Sequence, residues 1–343
     1  MKRSTLLILC ILFSIVLNKS TFAQSNEKAR LAFYNVENLF DTINDPLTND
    51  DEYTPAGTKH WHFGRYLEKL DHIYKTITAL GEWNPPAVVG FCEVENRSVV
   101  YDLLSKTPFI KNGYEIIHQD SPDKRGIDVA MIYDPKQFKL VSFKAIRVDI
   151  TKDSSSTTRD ILYATGKLFK TDTVHIFINH WPSRSGGQAK SEPRRVIAAQ
   201  TLRWHVDSIL KTDADANIII MGDFNDEPGD KSIYENLRAK GDTIIQNPGD
   251  LFNGMYAPYT RHIGTEKYQD HWHLLDQVIM SYSLLNKKNP IIMSLPSIFK
   301  GSWLIEADEK YLGDRPYRTY TGPRYTGGYS DHLPVYVDIL NNK

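Results

Sequence analysis

The residues able to do chemistry in this sequence are carboxylates, amides and imidazoles placed at the ends of short apolar runs: Asn35, Glu37, Glu93, His180, Asp223, Asn225, Asp276, Asp331 and His332. Strand ends are where α/β folds build sites. The set has no Ser or Cys in a setting that suggests a nucleophile. Clustered hard oxygen ligands suit Mg²⁺ or Mn²⁺. Two histidines beside carboxylates suit acid–base work and charge stabilisation near neutral pH. The chemistry these types share is metal-assisted attack of water on a phosphate ester. Taken singly they say less, because an acidic residue after a strand is ordinarily a cap or turn residue. The sharpest piece is GDFND at 222–226. Gly222 allows a tight exit from a strand, and Asp223 and Asn225, two apart, share a face if the strand continues.

The elements that must position these groups are readable from the apolar pattern. Runs at Leu31–Val36, Ala87–Cys92, Asp128–Tyr133, Val174–Ile178, Asn217–Met221, Leu275–Met280 and Pro334–Ile339 read as strands. Leu67, Leu70, Ile73, Ile77 and Leu80 form a helical stripe, as do Val196, Ala199, Leu202, Val206 and Ile209. Arg194 and Arg195 then open a helix, as surface or salt-bridge residues. The acidic stretch Asn44–Thr58 and the Ser/Thr-rich stretch Asp153–Thr158 read as solvated loops. With strands and helices interspersed and no break in composition, residues 24–343 read as one α/β domain.

Residues 1–23 begin with Lys2 and Arg3, continue through an apolar run from Leu6 to Leu17 and reach Thr21 and Ala23, small residues suited to cleavage. This is the pattern of a secretory signal, too short for a comfortable membrane span. It predicts export to the periplasm or the medium, without stable membrane anchoring. Cleavage removes Lys2, Arg3 and Lys19 and takes the net charge from −1 to −4. That balance disfavours a basic coat for non-specific nucleic-acid binding. Of two cysteines only Cys92 remains, as a buried inert thiol, so a disulfide framework and a Cys-based zinc site are excluded.

Seven segments occur in one order: NVENLF at 35–40, GFCEVEN at 90–96, RGIDVAMIYD at 125–134, INHWPSR at 178–184, GDFND at 222–226, LLDQVIMS at 274–281 and YSDHLPV at 329–335. Together they resemble the endonuclease/exonuclease/phosphatase superfamily from Leu31 to Ile339. The resemblance implies a four-layer α/β/β/α sandwich of two mostly antiparallel sheets flanked by helices, like deoxyribonuclease I, and one or two ions: Mg²⁺ or Mn²⁺, with Ca²⁺ a further candidate. It implies that Asn35, Glu37, Glu93 and Asp331 lie on the metal side, Glu93 as principal ligand. Asp223 would activate water, Asn225 would hold a phosphate oxygen or that water, and His332 would contact the scissile phosphate. Asp276 would orient His332, and His180 would help the leaving oxygen. His180 also argues against the apurinic-endonuclease branch.

Substrate clues are thinner. Tyr311–Tyr329 interleaves Arg315, Arg318 and Arg324 with five tyrosines, a composition that can grip phosphates and stack bases or simply pack on a rim. Arg184 and Arg318 are the candidate substrate contacts. Arg125 is ambiguous, and His271 and His273 read as rim packing. The expected activity is a phosphodiesterase, most of all an endonuclease or exonuclease, acting as a monomer on nucleic acid or another phosphate ester. The alternative is a phosphomonoesterase or phospholipase-C-like enzyme for inositol phosphate, nucleotide or sphingomyelin.

Overall fold

The computed structural model describes residues 27–150, 157–244, 247 and 249–343. The leader expected at 1–23 and most of the Ser/Thr-rich stretch lie outside them. All seven expected strands form, within about three residues of the expected bounds: Lys28–Leu39, Val88–Val94, Asp128–Tyr133, Asp172–His180, Ile218–Asp223, Asp276–Ser281 and Val335–Asn341. The apolar pattern does not reveal the pair Phe138–Ile146 and Ile161–Leu168. Phe138–Ile146 is the edge strand, where exposed residues such as Lys139, Val141 and Phe143 break the apolar run, and Ile161–Leu168 lies next to it.

Two mixed sheets result. In the first, the order is Ile291–Met293, Val335–Asn341, Lys28–Leu39, Val88–Val94, Asp128–Tyr133 and Glu115–His118. In the second, it is Phe138–Ile146, Ile161–Leu168, Asp172–His180, Ile218–Asp223, Asp276–Ser281, Leu251–Asn253 and Ala239–Lys240. Most pairings are antiparallel. The parallel ones join Lys28–Leu39 to Val88–Val94, Asp172–His180 to Ile218–Asp223, and Leu251–Asn253 to Ala239–Lys240.

Side chains alternate between the faces of a strand, and the cores follow that parity. Leu31, Phe33, Val88 and Met131 of the first sheet meet Ile176, Ile178, Ile219, Met221 and Val278 of the second between the sheets. The opposite parity of the first sheet, Ala32 and Tyr34, packs on helices Phe63–Gly81 and Arg97–Ser105 through Leu70, Ile73, Ile77 and Val99. The opposite parity of the second, Phe177 and Ile220, packs on helix Gln188–Thr212 through Ala199, Leu202 and Val206. The chain is a four-layer α/β/β/α sandwich. Gly90 fits the inner layer because a Cβ there would lie 2.5 Å from Cδ1 of Ile178.

Helix Gln188–Thr212 starts earlier than the apolar stripe indicates and carries Pro193 within it. Arg195 is therefore inside the helix and fully buried, its Nε 2.7 Å from Oδ1 of Asp226. Among the described residues no helix is long and apolar enough to cross a membrane.

Candidate active site

Parity carries the inner face outward to the strand ends, where it becomes polar. Asn35 continues Leu31 and Phe33, His180 continues Ile176 and Ile178, Asp223 continues Ile219 and Met221, and Asp276 precedes Val278. His180, Asp223 and Asp276 stand side by side, because Asp223 is in register with His180 on one neighbouring strand and with Asp276 on the other. The two sheets thus bring Asn35 to face the other three across one edge of the sandwich.

Glu93 needs a different device. Cys92 belongs to the inner face, so parity would send Glu93 outward. The ladder shifts register between Cys92 and Val94, and Glu93 takes φ +60°. That left-handed turn lets its carboxylate accept the Asn38 N–H at 3.0 Å and sit 3.8 Å from Nε2 of His180. Glu37, Asn38 and Asn225 also have positive φ. Such backbone costs energy outside glycine and gathers at functional sites.

Oδ2 of Asp223 is the hub. It accepts Nδ2 of Asn35 at 3.1 Å and lies 3.7 Å from Nε2 of His180 and 3.9 Å from Nε2 of His332. The last two separations are too long for direct hydrogen bonds and leave room for a bridging oxygen. Its other oxygen accepts the Asn225 N–H at 2.9 Å. Nδ1 of His332 lies 2.6 Å from Oδ2 of the fully buried Asp276. The His332 loop is pinned by Ser330, whose hydroxyl donates to the Asn35 carbonyl at 2.7 Å and accepts the His332 N–H at 3.1 Å.

These environments drive the titrating groups apart. Burial pushes Asp223 up to about 7, with His332 opposing and Asp276 adding to the rise. Burial works against a charged His332, but the negative charges of Asp276 and Asp223 hold it well above its ordinary value. Burial, then Arg159 and Arg125, hold His180 well below its own. At neutral pH the site holds an imidazolium, a neutral imidazole and a carboxyl poised between forms. Such divergence assigns acid and base roles.

The remaining candidates are placed unevenly. Asp331 is partly exposed, its Oδ2 4.0 Å from Nη2 of Arg318. The carboxylate of Glu37 turns away to accept the N–H of Thr319 at 2.6 Å and of Tyr320 at 3.4 Å. Glu37 therefore anchors the Arg/Tyr-rich loop, where the sequence led us to expect it on the metal side. Burial and then Asp331 push it up to about 7. The strand ends at Asp223, so Asn225 does not share its face as extended chain would. Its Nδ2 donates to the Trp181 carbonyl at 3.1 Å. Gly222 serves close packing: a Cβ there would lie 2.5 Å from the Asn179 carbonyl oxygen. Arg184 is held by the Asn225 carbonyl at 2.8 Å and Asp230 at 3.0 Å, so it buttresses the Asn225 turn while lining the cleft.

Two residues went unnoticed in the sequence. Arg159 is buried, paired with Asp123 at 3.0 Å, and donates to the same Trp181 carbonyl that Asn225 uses. It follows the Ser/Thr-rich stretch and looks solvated in the sequence. Glu266, in a short hairpin, bridges to His332.

The donor set fits a hard cation at the Glu93 end. Burial and then Asp331 raise Glu93, and a cation would relieve that crowding of carboxylates. The tighter clusters, Cys92–His180–Asp223 and Asp223–Asp276–His332, have ligand atoms within 4.8 Å of one another. They suit a metal less well. Burial keeps the Cys92 thiol protonated, and Asp276 occupies Nδ1 of His332. Beside the hub opens a cleft of about 740 Å³ lined by Arg184, Asn225, Glu266, His273, Asp331 and His332, among others.

A four-layer sandwich with this edge is the architecture of phosphoric ester hydrolases. The profile described as the Endonuclease/Exonuclease/phosphatase family matches residues 30–341, and the chain belongs to that family. A humanized D. rerio TDP2 is similar in fold, at 14% identity and TM-score 0.56, over 91% of this chain and 98% of that one. The human Nocturnin catalytic domain, with bound sulfate, gives 17%, 0.54, 91% and 94%. An endonuclease/exonuclease/phosphatase family protein from Bacteroides thetaiotaomicron gives 14%, 0.52, 92% and 98%. No curated protein sequence matches the chain.

Proposed function

We propose that this chain is an exported, divalent-metal-dependent phosphodiester hydrolase acting on nucleic acid. The observation that carries the reading is the Asp223 hub, whose Oδ2 lies 3.7 Å from a neutral His180 and 3.9 Å from a charged His332. Water held in that gap loses its proton to Oδ2 of Asp223, which titrates near 7 and so exchanges protons readily at working pH. The imidazolium of His332, fixed by Asp276, donates from Nε2 to a phosphate oxygen and offsets the charge gained on attack. The Nδ2 amide of Asn225, which spends one N–H on the Trp181 carbonyl, can offer the other to a second oxygen. His180, uncharged, can donate a hydrogen bond to the leaving oxygen without repelling a cation beside Glu93. Glu93 and Asp331, with Asn35 beside them, would hold Mg²⁺ or Mn²⁺, which supplies Lewis-acid stabilisation of the phosphate. D. rerio TDP2, solved with a single-strand DNA product, supports a nucleic-acid substrate by kinship of fold.

The test uses residues 24–343 with Asp223→Ala as matched control. Both are incubated with supercoiled plasmid, single-stranded RNA and an inositol polyphosphate, with Mg²⁺ or with EDTA. Strand cleavage that needs both Mg²⁺ and Asp223 is the expected result. Intact strands with phosphate released from the inositol substrate would replace the reading with a phosphomonoesterase. Export is tested by a periplasmic fractionation of cells expressing the full chain, with and without residues 1–23.

A further inference from the structure

The cleft contains a carboxylate that the hydrolytic steps leave unused. Glu266 opens the strand Glu266–Tyr268, pairs with His273 across the hairpin and bridges to His332. Its backbone is therefore fixed beside that of the imidazolium, and its side chain lines the same cleft as Asn225, Asp331 and His332. Among the described residues its carboxylate has no hydrogen-bond or ion-pair partner. An acceptor left open in the cleft that His332 lines can receive a donor on the substrate.

The charge of the wall narrows what that donor can be. Among the described residues Arg184 is the only Lys or Arg lining the cleft, and Asp230 and the Asn225 carbonyl already hold its guanidinium. Arg318 lies 4.0 Å from Asp331. A second phosphate set directly against Glu266 would be repelled by its carboxylate and by Asp331, although the His332 imidazolium and Arg318, whose Nε has no hydrogen-bond partner among the described residues, also act on that place. An uncharged group carrying hydroxyls would meet an acceptor. In a nucleic-acid strand the group of that description next to a phosphate is the ribose, because internal deoxyribose has no hydroxyl to give.

We infer that Glu266 is a specificity determinant that receives a ribose hydroxyl beside the scissile phosphate, so that the cleft selects ribonucleotide over deoxyribonucleotide phosphodiesters. This rests on the nucleolytic reading above. The carboxylate does not take part in bond breaking. It sets which sugar is held while Asp223 and His332 act.

Binding tests it independently of turnover. The Asp223→Asn protein with Mg²⁺ is titrated calorimetrically with the adenine ribodinucleotide and with its deoxy counterpart. A charge-assisted hydrogen bond predicts ribodinucleotide binding tighter by about tenfold or more. Adding Glu266→Ala should bring the ratio to within about twofold. Adding Glu266→Gln, whose amide oxygen still accepts and which preserves the hairpin, should keep part of the preference. Equal affinities, no binding of either dinucleotide, or a preference that survives Glu266→Ala overturns the inference. If a Glu266-dependent ribose preference is found while the wild-type enzyme cleaves no strand with Mg²⁺, the hydrolase reading fails and the binding inference stands. Cleavage without sugar preference does the reverse.

Discussion

Asp223→Asn should make the metal-free protein more stable at alkaline pH, even though it removes the proposed base. The Asp223 carboxyl is raised from 3.8 to about 7, with burial the largest cause. At about 1.36 kcal/mol per pH unit, ionising it in the fold costs about 4 kcal/mol. Asp276, Glu93 and His332 share in that value, so we assign about half, ~2 kcal/mol, to Asp223 itself. Against this, an asparagine has one oxygen where Asp223 uses two. Oδ1 accepts the Asn225 N–H and Oδ2 accepts the Asn35 amide. One donor then faces a donor, at a cost of about 1 kcal/mol. The sign follows from linkage. A folded-state value above the unfolded one gives stability that is full below 3.8 and is lost as pH rises toward about 7. At pH 8 the variant should therefore be more stable by about 1 kcal/mol, and at pH 3, below the unfolded value, less stable by about 1 kcal/mol, the two curves crossing near pH 5. Urea unfolding in EDTA at both pH values measures this. Curves that run parallel across the range, or a variant weaker at pH 8, would refute the claim that Asp223 is ionised at the expense of the fold.

Two further outcomes follow from the same geometry. Asp276→Asn removes the anion 2.6 Å from Nδ1 of His332, and loss of a charged hydrogen bond should lower kcat by about 10- to 150-fold. Because Asp276 helps to hold His332 above its ordinary value, the alkaline limb of the pH–rate profile should also move to lower pH. An unmoved limb would mean that His332 is not the acid. Mg²⁺ should raise the melting temperature of the wild-type protein, by about 2.7 kcal/mol of stability at a hundred times its Kd. Glu93→Gln should abolish most of that rise in differential scanning fluorimetry. A rise that persists would move the cation away from Glu93.

The fold was legible where one physical rule acts on local sequence. Apolar runs ending in polar residues marked all seven central strands, and parity along them explains why Asn35, His180, Asp223 and Asp276 meet at one edge. The edge strand Phe138–Ile146 escaped because its side chains are mostly exposed, and Ile161–Leu168, which alternates between buried and half-buried residues, escaped because Thr165, Gly166 and Lys167 interrupt its apolar run. The positions of Glu93 and Glu37 were not legible for a different reason. Nothing in a glutamate announces φ near +60° or +51°. The turn at Glu93 brings its carboxylate toward His180, while the Glu37 carboxylate goes to the backbone of Thr319 and Tyr320.

Arg159 and Glu266 show the limit most directly, because each acquires its meaning from a partner far along the chain. Arg159 reaches the Trp181 carbonyl, and the Asn225 amide arrives at that same oxygen. A single backbone acceptor thus couples a buried cation to the amide proposed to hold the phosphate. Glu266 acquires its place only when the hairpin lays it against His332. Strand ends reveal which groups can break a phosphate ester, because that chemistry needs a few fixed residue types. Which ester is broken depends on the cleft wall, built by loops whose residues look like ordinary solvated charge until the fold closes around them. In this protein that wall presents Glu266 and Asp331 beside the His332 imidazolium and an arginine held by Asp230, and the proposed selection for a hydroxyl donor rests on the Glu266 carboxylate alone.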